Sequence, residues 1–236
     1  MYKRVLLKLS GEQLAGKFDS GIDTEFCAWL AHEIKQVQDA GVEVVIMVGG
    51  GNYARGAQLA GGGIRRVTAD HVGMLATMMN ALALTDVFEA EGLPTRCLTT
   101  IFADQVAEPF VHRLANKHLA NGRAVIVGGG SGRPYVTTDT AALILALELD
   151  CGVVMKATKV DGVYDKDPAK FDDAQKMETM SYERAVTDGA IKVMDNAALG
   201  MAMEHGLPII VFDALQPGSI LAAAQGKAVG TVISNS

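Results

Sequence analysis

The sequence predicts an α/β fold of three layers, α/β/α, around a central, mainly parallel sheet. Three observations predict it. Short β-branched runs recur along the 236 residues, of the kind that forms strands buried on both faces. Stretches with helical spacing lie between most of them, and that alternation builds parallel sheets. Twice a strand-like run passes directly into three glycines, at 44–51 and 124–130. Glycines there let the backbone approach a ligand at the carboxyl edge of the sheet.

The strand-like runs are 4–8, 43–48, 95–98, 124–127, 152–156, 208–212 and 229–233. The first helix-like segment, 24–39, carries Phe26, Leu30, Ile34 and Val37 near helical spacing. The others are 69–90, 109–120, 140–149, 195–205 and 219–225. Thr137, Thr138 and Asp139 are cap candidates for the alanine-rich helix that follows them. Within 69–90, the stretch 72–84 is apolar on nearly every side, broken by Thr77 and Asn80. It is too short to span a bilayer and suits a core helix or a subunit interface. Met74, Met78 and Met79 in it read as core or interface filling. The polar stretch 156–178 predicts loops between an N-terminal half, 1–150, and a C-terminal half, 151–236, of a single domain.

Hydrophobic residues make up 49% of the chain, enough for a packed core, and the net charge is −6. That charge argues against a broad nucleic-acid-binding surface but leaves room for an anionic small ligand held by local lysines and glycines. Cys27, Cys97 and Cys151 are odd in number and lack C-x-x-C spacing, which points to reduced thiols in the cytoplasm. The start of the chain has no signal-peptide core. The five histidines have no metal-ligand spacing.

Four segments are suited to phosphate chemistry. In Lys8-Leu9-Ser10-Gly11, a lysine at a strand end precedes a hydroxyl and a close backbone; taken alone, this short motif reads more readily as a turn with a solvated lysine. Gly49-Gly50-Gly51-Asn52 is followed by Arg55, which suits a phosphate fork and equally a surface position. It is no Walker A loop. Gly49, Gly51 and Ala54 match the looser dinucleotide fingerprint G-x-G-x-x-A, but Asp70 opens a helix instead of ending the next strand. The third segment runs from Gly128 through Ser131-Gly132-Arg133-Pro134-Tyr135-Val136-Thr137-Thr138-Asp139 into a helix start, where an anion is favoured. The fourth, from Lys156 through Thr158, Asp161 and Tyr164 to Asp167, is a polar loop that could clamp a nucleotide.

In this order the four segments resemble the amino acid kinase superfamily and, within it, the bacterial UMP kinases. The resemblance runs from Lys3 to Ser234 and includes Asp70 with Met74-Leu75-Ala76-Thr77, and Lys192-Val193-Met194-Asp195. It implies an amino acid kinase-like fold without a P-loop, and transfer of a phosphoryl group from ATP with Mg²⁺ to UMP. By motif, Lys8, Arg55 and Asp139 carry the transfer, Asp139 organising lysines and metal. Lys8, Leu9, Ser10, Gly11, Gly51, Arg55, Lys156, Thr158, Tyr164 and Asp167 bind ATP. Gly50, Asp70, Ser131, Gly132, Arg133, Pro134, Tyr135, Val136, Thr137 and Thr138 bind UMP, with Asp70 on the ribose. No dedicated protein metal site is implied. The resemblance also implies a cytoplasmic homohexamer with GTP as a candidate activator, through 16–21, and UTP as a candidate inhibitor. Arg133 and Val136 depart from the family's common Thr-Gly-Asn-Pro-Phe-Phe. A kinase of another acceptor, a nucleotide sensor without transfer, and a dinucleotide-dependent oxidoreductase are the competing classes.

Overall fold

A computed structural model describes residues 1–54, 59, 62–166, 168, 170–188 and 193–235. The strands of its main sheet are β1 (Arg4–Leu9), β2 (Glu43–Val48), β3 (Thr95–Thr99), β4 (Glu108–Pro109), β5 (Ala124–Gly128), β6 (Val154–Thr158), β9 (Thr179–Ser181), β10 (Ile209–Asp213) and β11 (Gly230–Ser234). Their order is β4-β3-β5-β2-β1-β6-β10-β11-β9. Every pairing is parallel except β10 with β11. A small antiparallel ribbon, β7 (Val163–Tyr164) with β8 (Lys176–Met177), stands apart.

The helices are α1 (Gly11–Leu14), α2 (Thr24–Asp39), α3 (Arg66–Ala90), α4 (His112–Ala120), α5 (Thr138–Glu148), α6 (Tyr182–Thr187), α7 (Asn196–His205) and α8 (Ser219–Ala224). Successive strand residues point to opposite faces of the sheet, and two apolar clusters follow from that. Leu7, Ile46, Ile126, Met155 and Phe212 pack with α2, α3 and α8. Leu6, Met47, Val127, Val154 and Val211 pack with α4, α5, α6 and α7. The predicted three layers are therefore present.

Several boundaries differ from expectation. The helix expected from residue 109 begins at His112, because Glu108 and Pro109 pair with β3 at the sheet edge, a place where proline costs no ladder bond. The stretch expected as loop at 156–178 contains β7 and β8. Helix α3 has 25 residues and is long and apolar enough to cross a bilayer by length and composition, against the expectation drawn from 72–84 alone. Its Ala81, Leu84 and Phe88 are fully buried in the core, so it is accounted for as a core helix.

Candidate active site

Strands β5, β2, β1 and β6 are consecutive in the sheet. Their carboxyl ends therefore bring both triple glycines, Lys8 and Lys156 to one edge. Lys8 and Lys156 are register partners across β1 and β6, so their ammonium groups share a face and repel. Asp139 resolves the repulsion. Its Oδ1 lies 2.7 Å from Lys8 Nζ and its Oδ2 lies 2.9 Å from Lys156 Nζ. Lys156 also donates to Val193 O.

Asp139 is presented by the first turn of α5, which Thr137 caps by accepting from Asp139 N at 3.1 Å and Thr140 N at 3.4 Å, as the Thr-Thr-Asp reading expected. Burial pushes the Asp139 carboxyl up, but the two ammonium groups outweigh it and hold it below its ordinary value. Burial pushes Lys156 down, beyond what Asp139 restores. Asp195 also acts on Lys156, more weakly than Asp139; two lysines beside glycine-rich backbone form an arrangement suited to phosphates.

The glycines meet the protein's own backbone. A Cβ on Gly11 would lie 2.6 Å from Gly49 O, and one on Gly50 would lie 2.8 Å from Gly73 O. Ser10 N donates to Gln13 Oε1 at 3.0 Å, and Gln13 Nε2 reaches Thr158 O at 3.2 Å. That link ties the end of β1 to the end of β6.

A cavity of about 250 Å³ is lined by Gly50, Asp70, Arg133, Val136, Thr137 and Thr138 of the expected acceptor set, with Arg66 and Thr77 added. Asp70 accepts from Arg66 Nε at 2.8 and 2.9 Å and from Tyr135 N at 2.8 Å. Burial raises its carboxyl, and these partners bring it below its ordinary value. Tyr135 has φ +67° with its side chain exposed, and Arg66 lies over its ring at 5.2 Å. Ser131, Arg133 and Val136 line an adjoining cavity of about 330 Å³. Gly132 turns instead toward Thr100. Pro134 lines neither cavity.

On the other side, Gly51 lines an opening with Glu12, Gly16, Asp19 and Lys159. The Leu9 side chain is buried in the core, and its carbonyl accepts from Gly49 N at 2.9 Å, so only its backbone faces the loop. Thr158 Oγ1 lies 2.6 Å from Val160 O and 3.0 Å from Phe212 O, and Tyr164 OH donates to Asp161 at 2.7 Å. Arg55, Asp167 and Lys192 lie outside the described residues.

The model of the amino acid kinase family matches residues 3–213. The chain belongs to the amino acid kinase family. It is 46% identical to the uridylate kinase of Dichelobacter nodosus over 98% of its own length and 96% of the relative's. It is 50% identical to the uridylate kinase of Sulfurovum sp. over 96% of each chain. The crystal structure of UMP kinase from Bacillus anthracis matches with TM-score 0.95 at 39% identity, covering 99% of this chain and 96% of that one.

In this amino acid kinase, sequence reasoning gave no role to Arg66 and Gln13, noted Thr77 and Asn80 only as breaks in an apolar run, and missed the bracing role of Asp195. Asp195 accepts from Thr137 Oγ1, and from Thr140 Oγ1 at 2.7 Å and Ala198 N at 3.0 Å. The available signal was polar residues inside apolar helical runs, since a buried polar group needs a partner.

Proposed function

We propose that this chain is a nucleoside monophosphate kinase that transfers the γ-phosphoryl group of ATP to UMP, giving UDP and ADP for pyrimidine nucleotide supply. The observation that carries the reading is the Lys8–Asp139–Lys156 cluster beside the two glycine loops, in a chain whose full-length relatives are uridylate kinases.

A UMP phosphate oxygen attacks the γ-phosphorus while the bond to the β,γ-bridging oxygen breaks and ADP leaves. Both reactants are anions. Phosphoryl transfer therefore rests on positioning and charge neutralisation, and a phosphate nucleophile needs no general base. Lys8, Asp139 and Arg55 carry the transfer, with Lys156 beside them. Leu9 through its backbone, Ser10, Gly11, Gly51, Thr158, Tyr164 and Asp167 serve ATP. Gly50, Asp70 and residues 131–138 serve UMP.

Among the described residues no group of three or more histidine, cysteine, aspartate or glutamate side chains could hold a metal ion, and the Asp139 carboxylate already faces two ammonium groups. This donor set fits Mg²⁺ that travels with ATP, held by phosphate oxygens and water, with Asp139 as the nearby carboxylate. Bound there, Mg²⁺ would supply neutralisation of phosphate charge. The chain works as one domain whose halves meet at Asp139, in a cytoplasmic homohexamer that answers to GTP and UTP.

A coupled ADP-release assay across nucleoside monophosphates with ATP and Mg²⁺, with and without GTP, tests the reading. UMP turnover well above that of CMP or AMP is expected. Lys8→Ala and Asp139→Asn should each lower kcat by about 10²-fold or more. Equal turnover of all acceptors, or near-normal activity in either variant, would sink the assignment.

A further inference from the structure

Helix α3 has its own part in the site. Thr77 and Asn80 lie one turn apart, on one face of it, and are 2% and 0% exposed. Thr77 Oγ1 accepts from Gly129 N at 2.8 Å and donates to Met74 O at 2.7 Å. Asn80 Nδ2 donates to Gly49 O at 2.7 Å and to Asn52 Oδ1 at 2.7 Å, and Asn80 Oδ1 accepts from Asn52 Nδ2 at 2.9 Å. One helix turn thus binds both triple glycines, whose sequences lie far apart.

Around these bonds the loop glycines pack directly on α3. A Cβ on Gly50 would sit 2.8 Å from Ala76 Cβ, and one on Gly128 would sit 3.0 Å from Met78 Cα. A displacement of α3 therefore moves both loops. An apolar residue would fill either buried position without the cost of burying a polar group. What Thr77 and Asn80 add is directed bonding to the loops.

We infer that Thr77 and Asn80 are positioning residues for phosphoryl transfer, each fixing one glycine loop so that donor and acceptor phosphates meet in line. The inference rests on the proposed UMP kinase reading. Its physical ground is that misplacing reacting groups by about 1 Å costs on the order of 10²-fold in rate.

The two residues make separable predictions. Thr77 anchors the loop that leads into the acceptor segment. Thr77→Val removes the acceptor for Gly129 N and should raise the UMP KM about tenfold while the ATP KM stays within about twofold. Thr77→Ser should restore it. Asn80 anchors the loop that serves both nucleotides. Asn80→Asp, or Asn80→Ala if the first does not fold, should lower kcat by about 10²-fold with both KM values changed less than about threefold.

A purely structural role would lower the active fraction and leave the UMP KM untouched. An unchanged UMP KM in folded Thr77→Val overturns the inference. So does a Thr77→Val and Thr77→Ala pair that will not fold while Thr77→Ser behaves normally, because the hydroxyl then serves folding. Amide exchange separates the two readings. If wild type does not turn over UMP, the proposed function falls. Faster exchange at Gly129 in Thr77→Val, with β2 still protected, supports the anchoring, and unchanged exchange there refutes it.

Discussion

Asp139 decides the charge state of the site at the scale of single residues. Its carboxyl lies below its ordinary value of 3.8 because Lys8 and Lys156 oppose burial. A carboxylate with a depressed folded value contributes stability that is fully present above the unfolded value and is lost as pH falls through the folded one. Asp139→Asn leaves two ammonium groups in a half-closed site with no anion between them. Removing one member of such a buried cluster costs about 3–5 kcal/mol. The expected outcome is a urea midpoint well below wild type at neutral pH. That gap should narrow only once the pH drops below 3.8. A gap that persists unchanged into strong acid would show that the carboxylate charge is not its source. Lys8, Asp70 and Asp139 were picked out by the family resemblance, on a lysine at a strand end and carboxylates at helix starts; the local patterns alone left bland readings open. Thr77, Asn80 and Gln13 were not picked out. Their partners lie 52, 28 and 145 residues away, and no local pattern records such a contact.

At the scale of elements, the start of α5 is held from outside itself. Asp195 caps α7 through Ala198 N and reaches across to the Thr137 and Thr140 hydroxyls. Two helix N-termini and the Asp139 turn are therefore braced by one carboxylate. Burial raises it, and the two hydroxyls and the cap amides bring it below its ordinary value. Asp195→Ala should cost about 1.5–3 kcal/mol, the range for hydrogen bonds to a charged group. It should also lower kcat, because the turn presenting Asp139 loosens. Urea unfolding with an unchanged slope, alongside initial rates, measures both effects. A loss of stability with kcat intact would separate the brace from the site. The strand set was readable to within about two residues, since buried parallel strands are continuous apolar runs. The strands β4, β7, β8 and β9 were not, because strands of two or three residues have no period to read.

At the scale of the whole molecule, α3 explains why 72–84 is apolar on nearly every side. One face enters the core through Ala81, Leu84 and Phe88, beside Thr77 and Asn80. The other presents Val67, Val72, Leu75 and Met79, with Leu75 51% and Met79 49% exposed. Val72, Leu75 and Met79, three and four residues apart, lie on one stripe. A helix with two apolar faces is stable in water when both are covered, and the proposed homohexamer supplies a second copy to cover this one. A charge placed on the stripe leaves the single-chain core untouched but cannot be buried unpaired. Leu75→Lys and Met79→Glu should therefore yield smaller species in sedimentation velocity while the far-UV circular dichroism of the chain is retained. Activity should fall along with assembly, because the same helix carries Asp70, Thr77 and Asn80 into the site and its position would no longer be fixed from outside. Retained hexamer mass in both variants would move the interface elsewhere on the surface, and would leave the second apolar face of α3 without a physical reason.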